Sequence, residues 1–305
     1  ITGVGFDPDF VWIKSRNLTT SHLLNDTVRG ANKSLFSEGD TAETANNGGG
    51  YLSAFVTDGF SVTSGSSGDD AVNDGTGTYV SWNWKAGGTP TADNSAGNGA
   101  TPTAGSVKID GSNLGSALAG SLAATRLSAN TTAGFSIVIW DASGVSTGTV
   151  AHGLTVAPDI IIAKARDYAT NWFVQVPDVL ANTNMLNLET TGASYNPGYN
   201  HFNDTVPTDE VFSFGGYLGG HSDLGSNTEK IAYCFHSVEG YSKVSKFTGN
   251  GNDNGPFVYT GFRPAWLMVK RTNSSGGWHM FDNKRAPTNV VKARLVANEN
   301  SQENT

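Results

Sequence analysis

The side chains best suited to do chemistry in this chain lie in one long segment rich in Gly, Asn and Tyr, residues 190–227. Tyr195, Tyr199, Tyr217 and His221 all fall within it. Tyrosine rings stack on the CH-rich faces of sugars, and loops on a rigid β-scaffold are where recognition residues collect. This segment is therefore expected to hold the ligand site, with a surface carbohydrate as the ligand. A second string sets oxygen donors at alternate positions: Asn250, Asn252 and Asp253, within Asn-Gly-Asn-Asp-Asn-Gly. Gly68-Asp69-Asp70 with Asp74 forms another. Calcium takes about six to eight oxygens, and neither string has the full loop spacing with a terminal Glu. Both read as hairpin turns, and no metal is expected.

The remaining candidates are weaker. His22, His152, His201, His221, His236 and His279 include no pair at zinc-ligand spacing, and they read as separate loop residues. No Gly-rich loop ends in Gly-Lys-Ser/Thr. No enzyme activity and no cofactor are expected. Trp12, Trp82, Trp84, Trp140, Trp172, Trp266 and Trp278 fall mostly at strand positions and read as core packing.

The elements that must position these residues are short strands. Charged residues make up 15% of the 305-residue chain, below the roughly 25% of an average domain. Gly, Ser, Thr and Asn fill the difference, and these residues favour tight turns. A net charge of −8 excludes a nucleic-acid partner, because phosphate binding needs clustered Lys and Arg. No apolar run reaches the roughly 18 residues of a membrane helix, and no membrane insertion is expected. Cys234 is the sole cysteine, so no intrachain disulfide forms.

One pattern recurs three times. Pro8, Pro158 and Pro264 are each followed by an apolar run and then, six residues on, by Lys14, Lys164 and Lys270. Proline suits strand entry, and a continuous apolar run describes a strand buried on both faces. The lysine should mark the exit to solvent. Gly134-Phe135-Ser136-Ile137-Val138 and Gly240-Tyr241-Ser242-Lys243-Val244 read as strands preceding the second and third copies. Tyr79–Trp84 and Ile231–His236 read as alternating closing strands of the first and second, and Phe60–Val62 matches Phe212–Phe214. Asp26-Thr27-Val28-Arg29 resembles Asp282-Asn283-Lys284-Arg285. Copy one lacks an opening strand and copy three lacks closing ones, so the chain is expected to be a piece of a longer polypeptide.

The expected fold is all-β: tandem antiparallel β-sandwich repeats of jelly-roll or concanavalin-like type. The boundaries are 1–88, 131–238 and 239–305, with a Gly/Thr/Pro-rich linker at 89–130. Within the linker, Leu114–Leu127 is Ala/Leu-rich and could form one short helix.

The strings Thr132-Ala133-Gly134-Phe135-Ser136-Ile137-Val138, Ala157-Pro158-Asp159-Ile160-Ile161 and Gly255-Pro256-Phe257-Val258-Tyr259-Thr260-Gly261-Phe262-Arg263-Pro264 carry a family likeness. The chain resembles an uncharacterised repeat domain of virion structural proteins, tail fibre or tail-associated, from marine tailed phages. The resemblance implies a non-enzymatic virion protein whose partners are copies of itself, other virion proteins and a host surface glycan. A tail fibre or tail-tip position is favoured. A capsid or neck decoration protein and a polysaccharide depolymerase are the alternatives.

Overall fold

The computed structural model describes residues 1–65, 71–219 and 229–305. The protein is almost entirely β. Its first segment holds β1 (Phe10–Ser15), β2 (Leu23–Asp26), β3 (Lys33–Ser34), β4 (Thr44–Ala45), β5 (Tyr51–Val56), β6 (Gly59–Thr63) and β7 (Tyr79–Trp84). The middle holds β8 (Val107–Ile109), β9 (Ser112–Asn113), β10 (Arg126–Asn130), β11 (Phe135–Asp141), β12 (Gly148–Ala151), β13 (Ile160–Ala165), β14 (Phe173–Gln175), β15 (Leu186–Asn187), β16 (Val211–Phe214) and β17 (Glu229–Phe235). The last holds β18 (Trp266–Lys270), β19 (Trp278–Asp282) and β20 (Leu295–Val296).

Each marked proline opens a strand two residues on, and that strand forms an antiparallel hairpin with the next: β1–β2, β13–β14 and β18–β19. Strand β7 closes the first hairpin as β2-β1-β7. Strand β17 closes the second, inside an eight-stranded sheet ordered β15-β14-β13-β17-β11-β10-β8-β9. The third sheet is β18-β19-β20. The inward faces of all three meet in one core. It joins Phe10, Trp12 and Leu24 to Ile162, Trp172 and Val174, and to Trp278, Met280 and Leu295. Outer layers cover two of the sheets. Leu52 and Phe60 lie over Val11, Ile13 and Leu23, and Val150, Phe212 and Phe214 lie over Ile161, Ala163 and Phe173.

The hairpins touch in a cycle, through the same positions each time. Trp172 donates its indole N–H to the Phe36 carbonyl of the first segment at 2.8 Å. Trp278 donates to the Asn187 carbonyl of the second at 2.9 Å. His22 sits in the first segment at the place of these tryptophans, and its Nε2 lies 3.1 Å from the Val296 carbonyl of the third. Its Nδ1 accepts the Trp12 indole N–H, so Nε2 carries the proton and donates. Backbone bonds run beside each of these contacts: Glu43 N–H to Arg166 C=O, Ser194 N–H to Thr272 C=O, and Glu303 N–H to Arg16 C=O.

Two of these three corners also bury a charge network. Arg29 donates Nε to Asp26 at 2.6 Å and Nη2 to the Leu24 carbonyl at 2.7 Å, with both ionic side chains fully buried. The Tyr233 hydroxyl donates to Asp26 at 2.7 Å, and Glu43 bridges Arg29 to Arg166. The other corner repeats this arrangement with Arg285, Asp282, Glu303 and Arg16, and the Trp82 indole takes the place of the tyrosine. Val176 stands at the aspartate position of the middle hairpin, opposite Ile160 as Asp26 stands opposite Phe10, so the third corner lacks the network.

Three expectations change. Lys14 and Lys164 do not reach solvent; both are fully buried. Lys14 caps the carbonyls of Ser15 and Leu18, and Lys164 those of Asp40 and Thr170. A buried ammonium needs acceptors, and turn carbonyls supply them. No helix forms at 114–127. Gly120 has φ +107 there and bridges Val150, while Val107–Ile109 and Ser112–Asn113 extend the large sheet instead. Residues 240–247 are not a strand: β11 is held between β17 and β10, whereas among the described residues no closing strand stands beside 240–247.

Removing one partner of a buried ion pair strands the other charge. Arg29→Met should therefore destabilise the protein by about 3–5 kcal/mol in urea unfolding. Arg126→Met, which breaks the exposed pair with Asp93, should cost less than about 1 kcal/mol.

Candidate binding site

The outer layer of the middle sheet positions an aromatic cluster. Strand β16 pairs with β12, and its chain continues through Gly215 into a short 3-10 turn at Gly216–Leu218. Leu218 is buried beneath the turn, and its carbonyl accepts the Trp140 indole N–H at 3.3 Å. Gly216 has φ +50, and a Cβ there would lie 2.3 Å from the Tyr199 carbonyl oxygen, so only glycine lets the two loops meet this closely.

This contact brings Tyr199, His201 and Tyr217 together. Tyr199 and Tyr217 have ring centroids 5.5 Å apart, and His201 lies 5.4 Å from Tyr217 and 6.2 Å from Tyr199. His201 stacks at 4.0 Å on Phe173 of the sheet below. Its Nδ1 accepts the Tyr217 backbone N–H at 3.1 Å, so Nε2 bears the proton. Tyr168 donates its hydroxyl to the Tyr217 carbonyl at 2.8 Å and carries the Lys230 ammonium over its ring at 4.9 Å. Tyr199 is 55% exposed, while His201 is buried. Burial pushes the His201 imidazole down to about 4, so it is neutral at physiological pH and adds no charge to the platform. The result is a half-exposed aromatic shelf on a fixed base, able to stack on an apolar ring face.

The expected site residues separate. Tyr199 and Tyr217 are joined as described. Tyr195 stands apart, with its hydroxyl on Asn187 at 2.9 Å and its backbone bridged to Met185. His221 and Gly68-Asp69-Asp70 lie outside the described residues. His201, which the sequence reads as a separate loop residue, completes the cluster between Tyr199 and Tyr217. The Asn250, Asn252 and Asp253 loop is exposed. The Asn250 amide donates to the Asn254 carbonyl, and Asn250 Oδ1 accepts the Asn252 N–H, as in a turn. Among the described residues, no group of three or more His, Cys, Asp or Glu is placed to hold a metal.

Four of the histidines do lie outside the strands, as separate loop residues, but none of the four is exposed. His22, His152, His201 and His236 are buried and hydrogen-bonded. The tryptophans do pack the interior, with Trp12, Trp82, Trp140, Trp172 and Trp278 buried.

Two other places merit comparison. Gly144–Gly148 has Gly-x-Ser-x-Gly spacing. However, Ser146 is exposed on a strand-turn-strand connection, and among the described residues no histidine bonds its hydroxyl. A nucleophile elbow needs a strand-turn-helix and a base. A groove beside Arg29 carries Asp93, Asp141 and Glu229. There Asp93 pairs with Arg126, Glu229 pairs with Arg166, and Asp141 accepts the Ser143 N–H.

Comparison with protein families gives a match over residues 1–110 and again over 104–305. The chain belongs to the family described as a domain of unknown function, DUF7483. Neither curated proteins nor solved structures give a match.

The buried histidines set an acid response. Burial holds His152 and His201 down to about 4 and His22 to about 3, against an ordinary 6.5. The unfolded chain therefore takes up protons first, and the stability these groups contribute is present above pH 6.5 and lost as pH falls toward 4. Thermal unfolding should show a falling Tm from pH 7 to pH 4.5. His201→Asn, which keeps an acceptor for Tyr217, should flatten that slope by up to about 3 kcal/mol over this range.

Proposed function

We propose that this protein is a non-enzymatic structural component of a phage virion, placed in the tail fibre or tail tip, which contacts a host surface glycan through the Tyr199, His201 and Tyr217 shelf. The shelf is the observation that carries this reading. Tyrosine faces offer a sugar ring CH contacts. Its support is rigid on three sides: Phe173 lies beneath, Tyr168 is bonded to its backbone, and Trp140 and Leu218 hold the turn. A shelf fixed before binding loses little entropy on capture. The low charge and exposed aromatics suit a protein that packs against other virion proteins and further copies of itself. Three modules of one kind, each entered at a marked proline, account for the cyclic corners. Such a construction resists shear because every module is tied to both others.

The test is binding of the recombinant chain to an array of bacterial surface polysaccharides, with immunolabelling of particles to place the protein on tail or capsid. Tyr199→Ala and Tyr217→Ala should each weaken glycan binding at least tenfold with little change in Tm. Tyr195→Ala, away from the shelf, should leave binding intact. A panel with no bound glycan and capsid labelling would replace this reading with decoration, and release of reducing sugar would replace it with depolymerisation.

A further inference from the structure

The third hairpin is built like the other two but lacks what covers them. Strand β1 carries β7 along its free edge over six residue pairs, and β13 carries β17 over six. Among the described residues, strand β18 pairs with β19 alone. The outer face follows suit. Val11, Ile13, Ile161 and Ala163 are buried, yet Leu267, at the position of Val11 and Ile161, is 45% exposed. The chain leading into β18 is bare as well: Tyr241, Phe247, Phe257 and Tyr259 are 60%, 53%, 90% and 79% exposed. Residues 240–247 match β11 in sequence, and β11 lies against β17.

The open edge is ready to pair. Asn283 N–H bonds the Ala265 carbonyl, with Trp266 opposite Asp282. Antiparallel pairing alternates, so the backbone groups of Leu267 and Val269 face β19 and those of Trp266, Met268 and Lys270 face outward. In the first hairpin the same alternation turns Phe10, Trp12 and Lys14 toward β7. The Trp266 indole N–H is also buried without an acceptor.

We propose that the β18 edge binds an antiparallel closing strand of the β7 and β17 kind, supplied by a separate partner polypeptide. The occupant's chemistry is written twice in the chain. Val80, Trp82 and Trp84, like Ile231, Tyr233 and Phe235, place an aliphatic residue and then two aromatics on the core side. A second copy of this chain does not offer such a strand freely, because its β7 and β17 are already paired to β1 and β13. The central residue can be specified further. Trp82, opposite Trp12, reaches Asp282 of the hairpin before it in the cycle, and Tyr233, opposite Ile162, reaches Asp26. A strand on β18 would set its central aromatic opposite Met268, facing Val176 instead of an aspartate. The incoming strand therefore carries an apolar ring there, a phenylalanine rather than tyrosine or tryptophan. None of this depends on the glycan reading.

The test uses the whole 305-residue chain and a synthetic peptide of residues 229–236 bearing Y233F, with lysines appended for solubility. Hydrogen exchange should show the amides of Trp266, Met268 and Lys270 slowed at least tenfold by the peptide, with those of Leu267 and Val269 slow before and after. A Y233D peptide should bind at least tenfold more weakly. Unchanged exchange at the three outward amides overturns the proposal, as does protection of those amides in the free monomer. Sedimentation showing self-association abolished by Leu267→Lys assigns the edge to a second copy and overturns it too.

Discussion

Three hairpins can share one core only if their meeting lines pair nearly all the polar groups they bury. Each corner brings backbone, indole or imidazole N–H groups and carbonyls out of water together. An unmatched buried amide or hydroxyl costs on the order of 1–3 kcal/mol, so a single unmet donor per corner would consume much of a domain's net stability. The structure meets this constraint the same way at every corner, through a ring N–H to a carbonyl and a backbone bond beside it. Arg29 and Arg285 extend the solution at two corners, each satisfying a buried aspartate, a carbonyl and a glutamate at once. Guanidinium suits that task because its donors diverge in one plane.

The corners explain the buried lysines. Lys164 and Lys270 each reach one carbonyl of the neighbouring segment, Asp40 or Thr191, and one of their own turn, Thr170 or Gly276. Lys14 finds only its own turn, at Ser15 and Leu18. Burial lowers Lys14 and Lys164 to about 8, against which the nearby Glu38 carboxylate for Lys14, and the Glu189 and Asp40 carboxylates for Lys164, favour the charged form. Lys164 and Lys270 thereby pin their hairpin turns to neighbouring segments.

Rigidity at the corners is what allows an exposed shelf elsewhere. Tyr199 and Tyr217 sit on loops, but those loops stand on Phe173 and Trp140, which belong to strands locked into the large sheet. The least covered part of the protein is the third hairpin, where the same backbone plan lacks its outer layer and its edge strand. An exposed aromatic shelf on one sheet and an open edge on another follow from how far each hairpin is wrapped by its own chain.

Local residue order was enough to find the strands. Prolines 8, 158 and 264 with their apolar runs marked the three hairpin entries, and the alternation of Tyr79–Trp84 and Ile231–Phe235 marked both closing strands, because strand periodicity is a property of neighbours along the chain. The tyrosines of residues 190–227 were visible as a cluster for the same reason. Other features depended on residues far apart in sequence. Lysines 14 and 164 looked like strand exits because their acceptors come from backbone carbonyls, which no residue type announces. Leu114–Leu127 looked helical because its composition does not show that its flanks pair with each other, β8 beside β10, or that Gly120 bridges Val150. Residues 240–247 looked like a strand because β11 does, yet a strand needs a neighbour. The union of His201 with Tyr199 and Tyr217, the separation of Tyr195, and the cycle joining Arg16 to Glu303 were decided by tertiary packing, since only the closed arrangement of hairpins sets which loops meet.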